Sequence, residues 1–158
     1  MNLLLALVCY EGIIQAGETA ERWDVYKQAH RKAKELGVPL VVVGCPKWGI
    51  HHGHGDATLD LVHKFWCRCP NPVVMDVRTI DKHFAPKSVV VFSSHVLEHL
   101  SAEDGEQAVN MIDKVAVAQY HCYPSNLSMM AWMAPTHKSW PTSTKPGQIT
   151  FANRDDRV

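Results

Sequence analysis

The apolar positions of this chain fall into two kinds of run. Leu40-Val41-Val42-Val43, Pro72-Val73-Val74-Met75 and Val89-Val90-Val91-Phe92 are short, continuous and rich in β-branched residues, the pattern of strands covered on both faces. From Trp23 the spacing changes. Trp23, Tyr26, Ala29 or His30, Ala33 and Leu36 recur every three or four residues, which places one stripe on a helix. Gly37 ends that helix and Pro39 forbids its continuation. Thr19 stands where a cap would open it, although Arg22 fills the position at which a capping box carries an acid.

A second helix reads from Ser101 to Val115, with Ser101 as cap and Ala108, Met111, Ile112 and Val115 on one face. Ala57 to Leu61 adds a strand, and Val117 to Tyr123 adds another before Pro124. Asn126 to Trp132 reads as a helical turn broken by Pro135. The tail, 136–158, holds Pro141, Pro146 and Gly147, so an irregular path is expected with only Gln148 to Ala152 able to pair as an edge strand. Strands with intervening helices predict an α/β domain whose mainly parallel, twisted sheet carries helices on both faces.

The amino-terminal stretch, 1–16, is an apolar leader. Leu3 to Tyr10 meets Glu11 and Gly12 well before the roughly 20 apolar residues of a membrane span. It also lacks the positive start of a signal peptide. No transmembrane span is expected, and the leader either packs on the body as a first helix or contacts a membrane interface or another subunit.

Composition narrows this picture. With 158 residues, 46% of them apolar, the chain can bury one sizeable core, so 1–158 is read as a single domain. Sixteen basic residues balance sixteen acidic ones, which leaves no electrostatic footprint for nucleic acid. Cys9, Cys45, Cys67, Cys69 and Cys122 lack zinc-ribbon or disulfide-framework spacing, so a reducing, cytoplasmic setting is the simpler reading.

The segment from Ser88 to Leu100, SVVVFSSHVLEHL, carries most of the candidate chemistry. Its apolar run ends at Ser93 and Ser94, so His95 and Glu98 fall beyond the strand's carboxyl end. Ligands bind at that edge in open α/β sheets, because the departing loops diverge there. Glu98 and His99 could be acid and base in a pocket, although at the start of the next segment such residues are more often cap and solvated face; His95, closer to the strand end, is as readily functional as structural. His51, His52, His54, His63, Cys67 and Cys69 offer metal donors, but HHGH reads as a glycine-rich loop without finger or helical-clamp spacing, and no metal site is expected.

The order of a strand ending at Gly44, a second at Asp60, a third at Asp76-Val77-Arg78 and a fourth running into FSSHVLEHL resembles the S-adenosylmethionine-dependent methyltransferases with a Rossmann-like fold. The resemblance covers roughly Leu40 to Ser125, and the His-Val-Leu-Glu-His run is its most specific part. It implies a three-layer Rossmann-like domain, minimal at its carboxyl-terminal end, that binds S-adenosylmethionine. Gly44, Cys45 and Pro46 would pass beneath the methionine moiety, Asp60 would accept the ribose hydroxyls, and Asp76 with the Val77 amide would face the adenine. Ser94 and His95 would close the pocket beside the sulfonium, with His95, Glu98 or Tyr123 near a methyl acceptor that the sequence does not name. The first loop departs from the family's glycine-rich pattern, since Pro46 removes a donor and Trp48 is bulky. Reduced activity, a non-catalytic cofactor-binding module, or a structural protein assembling as a homo-oligomer are the alternatives this leaves open.

Overall fold

Four consecutive apolar residues, Leu40–Val43, form β1, which is buried along its whole length and hydrogen-bonded on both sides. Asp56 fixes where it begins: its carboxylate accepts from the Leu40 amide at 2.8 Å, and its own amide donates to the Leu40 carbonyl at 2.8 Å. The structure, a computed structural model, describes residues 2–45, 52–62, 69–145 and 148–157.

Around β1 lie β2 (Ala57–Asp60), β3 (Pro72–Val74), β4 (Val89–Ser94) and β5 (Ala116–Cys122), in the order β3-β2-β1-β4-β5, all parallel. The chain steps outward from β1 to β2 and β3, crosses back to β4 on the other flank of β1, and steps outward again to β5. Alternation of side chains then sorts the central strands between two cores. Leu40, Val42, Val90 and Phe92 pack under α1 (Leu3–Leu36), against Ala29 and Ala33. Val41, Val43, Val89 and Val91 face the other layer, with Ile112 and Val115 of α2 (Ala102–Val115) and Val77 and Ile80 of a 3-10 segment, Val77–Lys82. The α/β class and the parallel sheet follow the sequence pattern, as does the Ser101 cap, whose hydroxyl accepts from the Asp104 amide.

Both chain ends differ from expectation. At the amino terminus the apolar stretch and the helix expected from Thr19 are one element, because α1 runs unbroken for 34 residues to Gly37, whose left-handed backbone (φ 66°) closes it. Thr19 is not a cap; its hydroxyl donates to the Gln15 carbonyl inside the helix. The face of α1 turned toward the protein changes character along its length. Ala29 and Ala33 pack the sheet, whereas Glu11, Gln15, Glu18 and Arg22, spaced four, three and four residues apart, form a polar seam. Glu11 accepts from the Ser128 hydroxyl at 2.6 Å and from the Met129 amide at 2.9 Å; Glu18 accepts from the Ser125 amide at 2.6 Å. These donors lie in the turn before α3 (Met129–Met133) and at its start. The outward positions are apolar: Leu3, Leu4, Leu5, Val8 and Ile13 are each more than half exposed. By length and composition α1 contains a stretch that could cross a membrane, and almost none of that stretch is buried.

At the other end, the tail is not irregular. Ser139–Lys145 and Gln148–Asn153 form an antiparallel hairpin, β6 and β7, which stands as its own two-stranded sheet. Alternating Ile149 and Phe151 explain it, since they turn one face of β7 onto the α2 core. Trp140 is buried and lies 4.6 Å from Trp132 between ring centroids. Cys45 is disulfide-bonded, which the scattered cysteine spacing does not announce, while Cys9 and Cys122 carry free thiols.

Two stability predictions follow from this packing. A Cβ added at Gly105 of α2 would come within 2.5 Å of the Phe151 ring. Overpacking of about 1–3 kcal/mol exceeds the roughly 1 kcal/mol that alanine gains in helix propensity, so Gly105→Ala is expected to lower urea-unfolding stability by about 1–2 kcal/mol. His121 of β5 is bonded to Ser93 Oγ at 2.6 Å and to Gln119 Oε1 at 3.0 Å, and burial pushes its imidazole down to about 4. The unfolded chain therefore binds the extra proton first, and stability present above about pH 6.5 is lost as pH falls toward 4. Because the residue keeps some contact with solvent, a loss of about 1 kcal/mol is expected from this group. Urea titrations at pH 7 and pH 4.5 measure it, and His121→Gln is expected to flatten that part of the slope.

Candidate functional site

Because all five strands run one way, their carboxyl ends share one edge, and the order reverses between β1 and β4. A crevice opens at such a reversal. Here it holds a cavity of about 640 Å³. The end of β1 contributes Gly44 and Cys45, β2 contributes Asp60, Leu61 and Val62, β3 contributes Met75, Asp76, Val77 and Arg78, and β4 contributes Ser94, His95 and Val96.

Gly44 forms part of the floor. Its backbone has φ 89°, a region that favours glycine, and its amide donates to the Leu59 carbonyl at 2.8 Å. A Cβ there would meet Val96 Cγ2 at 2.5 Å, so no larger residue fits. His95 is also left-handed, at φ 53°, and its amide is tied to the Cys122 carbonyl at 3.1 Å. A non-glycine residue held there by its neighbours is a feature that clusters at functional sites. Asp60 sits beside Cys45, whose amide donates to Asp60 Oδ2 at 3.2 Å.

The two aspartates are not equivalent. Arg78 grips Asp76 through Nε at 3.0 Å and through its terminal nitrogen at 2.5 Å, and the Arg78 amide adds 2.9 Å. The other terminal nitrogen reaches Asp104 in the first turn of α2. The Arg78 hydrogen bonds hold the Asp76 carboxyl below the usual carboxylate range; at Asp104 the Ser101 hydroxyl does most of this, with Arg78 second. Arg78 in turn is held firmly protonated, first by Asp76 and then by Asp104. A carboxylate has about four acceptor directions, and Asp76 has committed its own to one residue, Arg78, through the guanidinium and the backbone amide.

Of the three residues that the resemblance sets near an acceptor, His95, Glu98 and Tyr123, only His95 lines the cavity. Glu98 lies in the 3-10 turn Leu97–His99 and is fully buried behind it. Its carboxylate oxygens accept no hydrogen bond; His95 Nδ1 approaches Oε1 at 3.6 Å, beyond hydrogen-bonding reach. Burial, little opposed, pushes this carboxyl up to about 8. Tyr123 lines a different cleft with Pro124, Trp140 and Thr142, and burial raises its phenol well above the ordinary value. Pro46, the remaining predicted site residue, lies outside the described residues, as do Trp48, His51, His63 and Cys67.

The cavity also takes side chains that the resemblance does not assign to it. Arg22 reaches it from the polar seam of α1, paired with Glu18 at 3.4 Å; burial raises the Glu18 carboxyl against the pull of the Ser125 amide and of Arg22. His52 packs edge-on against Phe92, ring centroids 5.0 Å apart. His99 and Lys138 close the far wall. Backbone bonds bring that wall in: the Lys138 amide donates to the Glu98 carbonyl at 2.7 Å, the Arg154 amide to the Lys138 carbonyl at 2.9 Å, and Arg154 holds the Ala134 carbonyl at 2.6 Å. His99 was legible within the VLEH run; Arg22 looked like a flawed capping residue, and nothing near Lys138 marks it. The chain matches no protein-family model, no curated protein and no solved structure.

Proposed function

We propose that this chain is an S-adenosylmethionine-dependent methyltransferase-like protein with a Rossmann-like sheet, binding its cofactor in the cavity at the carboxyl edge. One observation carries the reading: four strand tips around the order reversal deliver Gly44, Asp60, Val77 and His95 to a single cavity of about 640 Å³. The order β3-β2-β1-β4-β5 is the one in which nucleotide-type cofactors sit at the reversal. Gly44 lets backbone approach a ligand closely. Asp60 offers carboxylate acceptors to a pair of ribose hydroxyls, and Leu61, Val62 and Met75 supply apolar surface for a base. Asp76 takes a different part from the one first assigned: occupied by Arg78, it braces the β3 loop against α2, and the base edge falls to backbone at Val77.

When bound, the cofactor supplies a methyl group already activated on a sulfonium, so the protein's task is alignment. His95 stands where it could take a proton from an acceptor that must lose one. Glu98 and Tyr123, outside the cavity, have no such part.

Calorimetric titration tests this reading directly. S-adenosylmethionine or its demethylated product is expected to bind one to one, and Asp60→Ala to weaken binding by about 1–3 kcal/mol, roughly 5- to 150-fold. Unchanged affinity in that variant would move the ribose elsewhere. Absence of both heat and thermal shift with either ligand ends the proposal.

The homo-oligomer reading has its own support in the exposed apolar face of α1, at Leu3, Leu4, Leu5, Val8 and Ile13. Sedimentation velocity is expected to show a dimer or larger species that Leu4→Glu with Val8→Glu reduces to monomer. A wild-type monomer at micromolar concentration contradicts it.

A further inference from the structure

Glu98 poses a problem that the cofactor reading leaves untouched. A carboxyl group with no exposure and no hydrogen-bond partner for either oxygen is costly to bury. Its surroundings are not apolar. The donor atoms of Glu98, His99 and His137 lie within 4.8 Å of one another, and His137 Nδ1 is likewise buried without a partner. The two imidazoles meet edge-on, with ring centroids 5.1 Å apart.

We propose that Glu98, His99 and His137 form a binding site for a first-row divalent cation, of the zinc class, at the wall of the cavity. Two imidazole nitrogens and one carboxylate oxygen are the donor set that such ions take in sites with an open position. His99 is already held in the tautomer that the task needs. Its Nδ1 lies 3.1 Å from the Thr136 carbonyl. A carbonyl can only accept, so Nδ1 carries the proton and Nε2 presents its lone pair, the arrangement that backbone carbonyls impose on metal-binding histidines. Ligand atoms about 2 Å from a shared ion lie roughly 3.3 Å apart. Closing the difference asks for about an ångström of side-chain rotation, which His99 and His137, both partly exposed, have room to make.

The three residues converge for a structural reason. Glu98 and His99 are adjacent in the 3-10 turn after β4, and the Lys138 amide bonded to the Glu98 carbonyl draws the strand-entry loop carrying His137 against that turn. Since His99 also lines the cavity, an ion held here would have its remaining position on the cavity side. Among the described residues, His52 and His54 of the histidine-rich stretch contribute no ligand to this set.

The inference does not rest on the S-adenosylmethionine reading, because cation binding by cofactor-free protein and cofactor binding by metal-free protein are separate titrations. The full chain, stripped with chelator and then titrated with Zn²⁺, is expected to bind one equivalent and to unfold several degrees higher, an effect of mass action. Co²⁺ is expected to give the visible absorption of a four- or five-coordinate nitrogen and oxygen field. His99→Gln and His137→Gln, both at partly exposed positions, are each expected to weaken Zn²⁺ at least tenfold while leaving circular dichroism unchanged. Glu98→Gln is expected to abolish the Co²⁺ spectrum, and His54→Gln to change nothing. No binding by the wild type, full affinity in His137→Gln, or loss confined to His54→Gln would each overturn the proposal.

Discussion

Parallel pairing is the constraint on which this molecule is built. Once β1 is hydrogen-bonded to β2 on one side and β4 on the other with all three strands running the same way, their ends have nowhere to go but one edge. The reversal of order at β1 then decides where the departing loops part. Gly44 sits at that parting, with a backbone conformation and a neighbour, Val96, that no side chain would tolerate. Chemistry collects there because geometry leaves a gap there.

Charges around the gap are handled by pairing rather than by solvent alone. Arg78 spans from the β3 loop to the first turn of α2, and Arg22 rises from beneath, held by Glu18. Arg78 therefore does two things: it neutralises carboxylates and it fixes the distance between two elements, whereas the Arg22–Glu18 pair stays within α1. Partly exposed pairs such as Arg78 with Asp104 contribute modestly to stability. Their larger effect is on shape, since they determine which acceptors remain available to a ligand.

Much of the frame could be read from residue order. Continuous β-branched runs gave β1 and β4, and Ser101 and Gly37 marked helix boundaries, because those signals are local. What escaped the reading was set by distant partners. The seam Glu11, Gln15, Glu18 and Arg22 has helical spacing but the wrong polarity for a core stripe, and it makes sense only once Ser125, Ser128 and Met129 supply donors more than a hundred residues away. The hairpin was obscured by Pro141 and Pro146, although Ile149 and Phe151 carried a period of two. Within the site, Gly44, Asp60, Asp76 and His95 could be placed on one edge because strand ends are legible. Glu98 could not be sorted from cavity to interior, since a single turn of chain separates the two, and nothing at the end of β5 announces that Tyr123 faces a different cleft.

The far wall of the cavity has a consequence in time. All five strands of the main sheet are complete by Cys122, yet Lys138 and His137 arrive later, anchored by Arg154 near the end of the described chain. A chain folding as it is synthesised can thus settle its sheet while the hollow is still open on one side. The cavity is walled last, after the scaffold that shapes it, so a nascent or clipped chain ending before the hairpin would be a folded sheet with an unwalled trough.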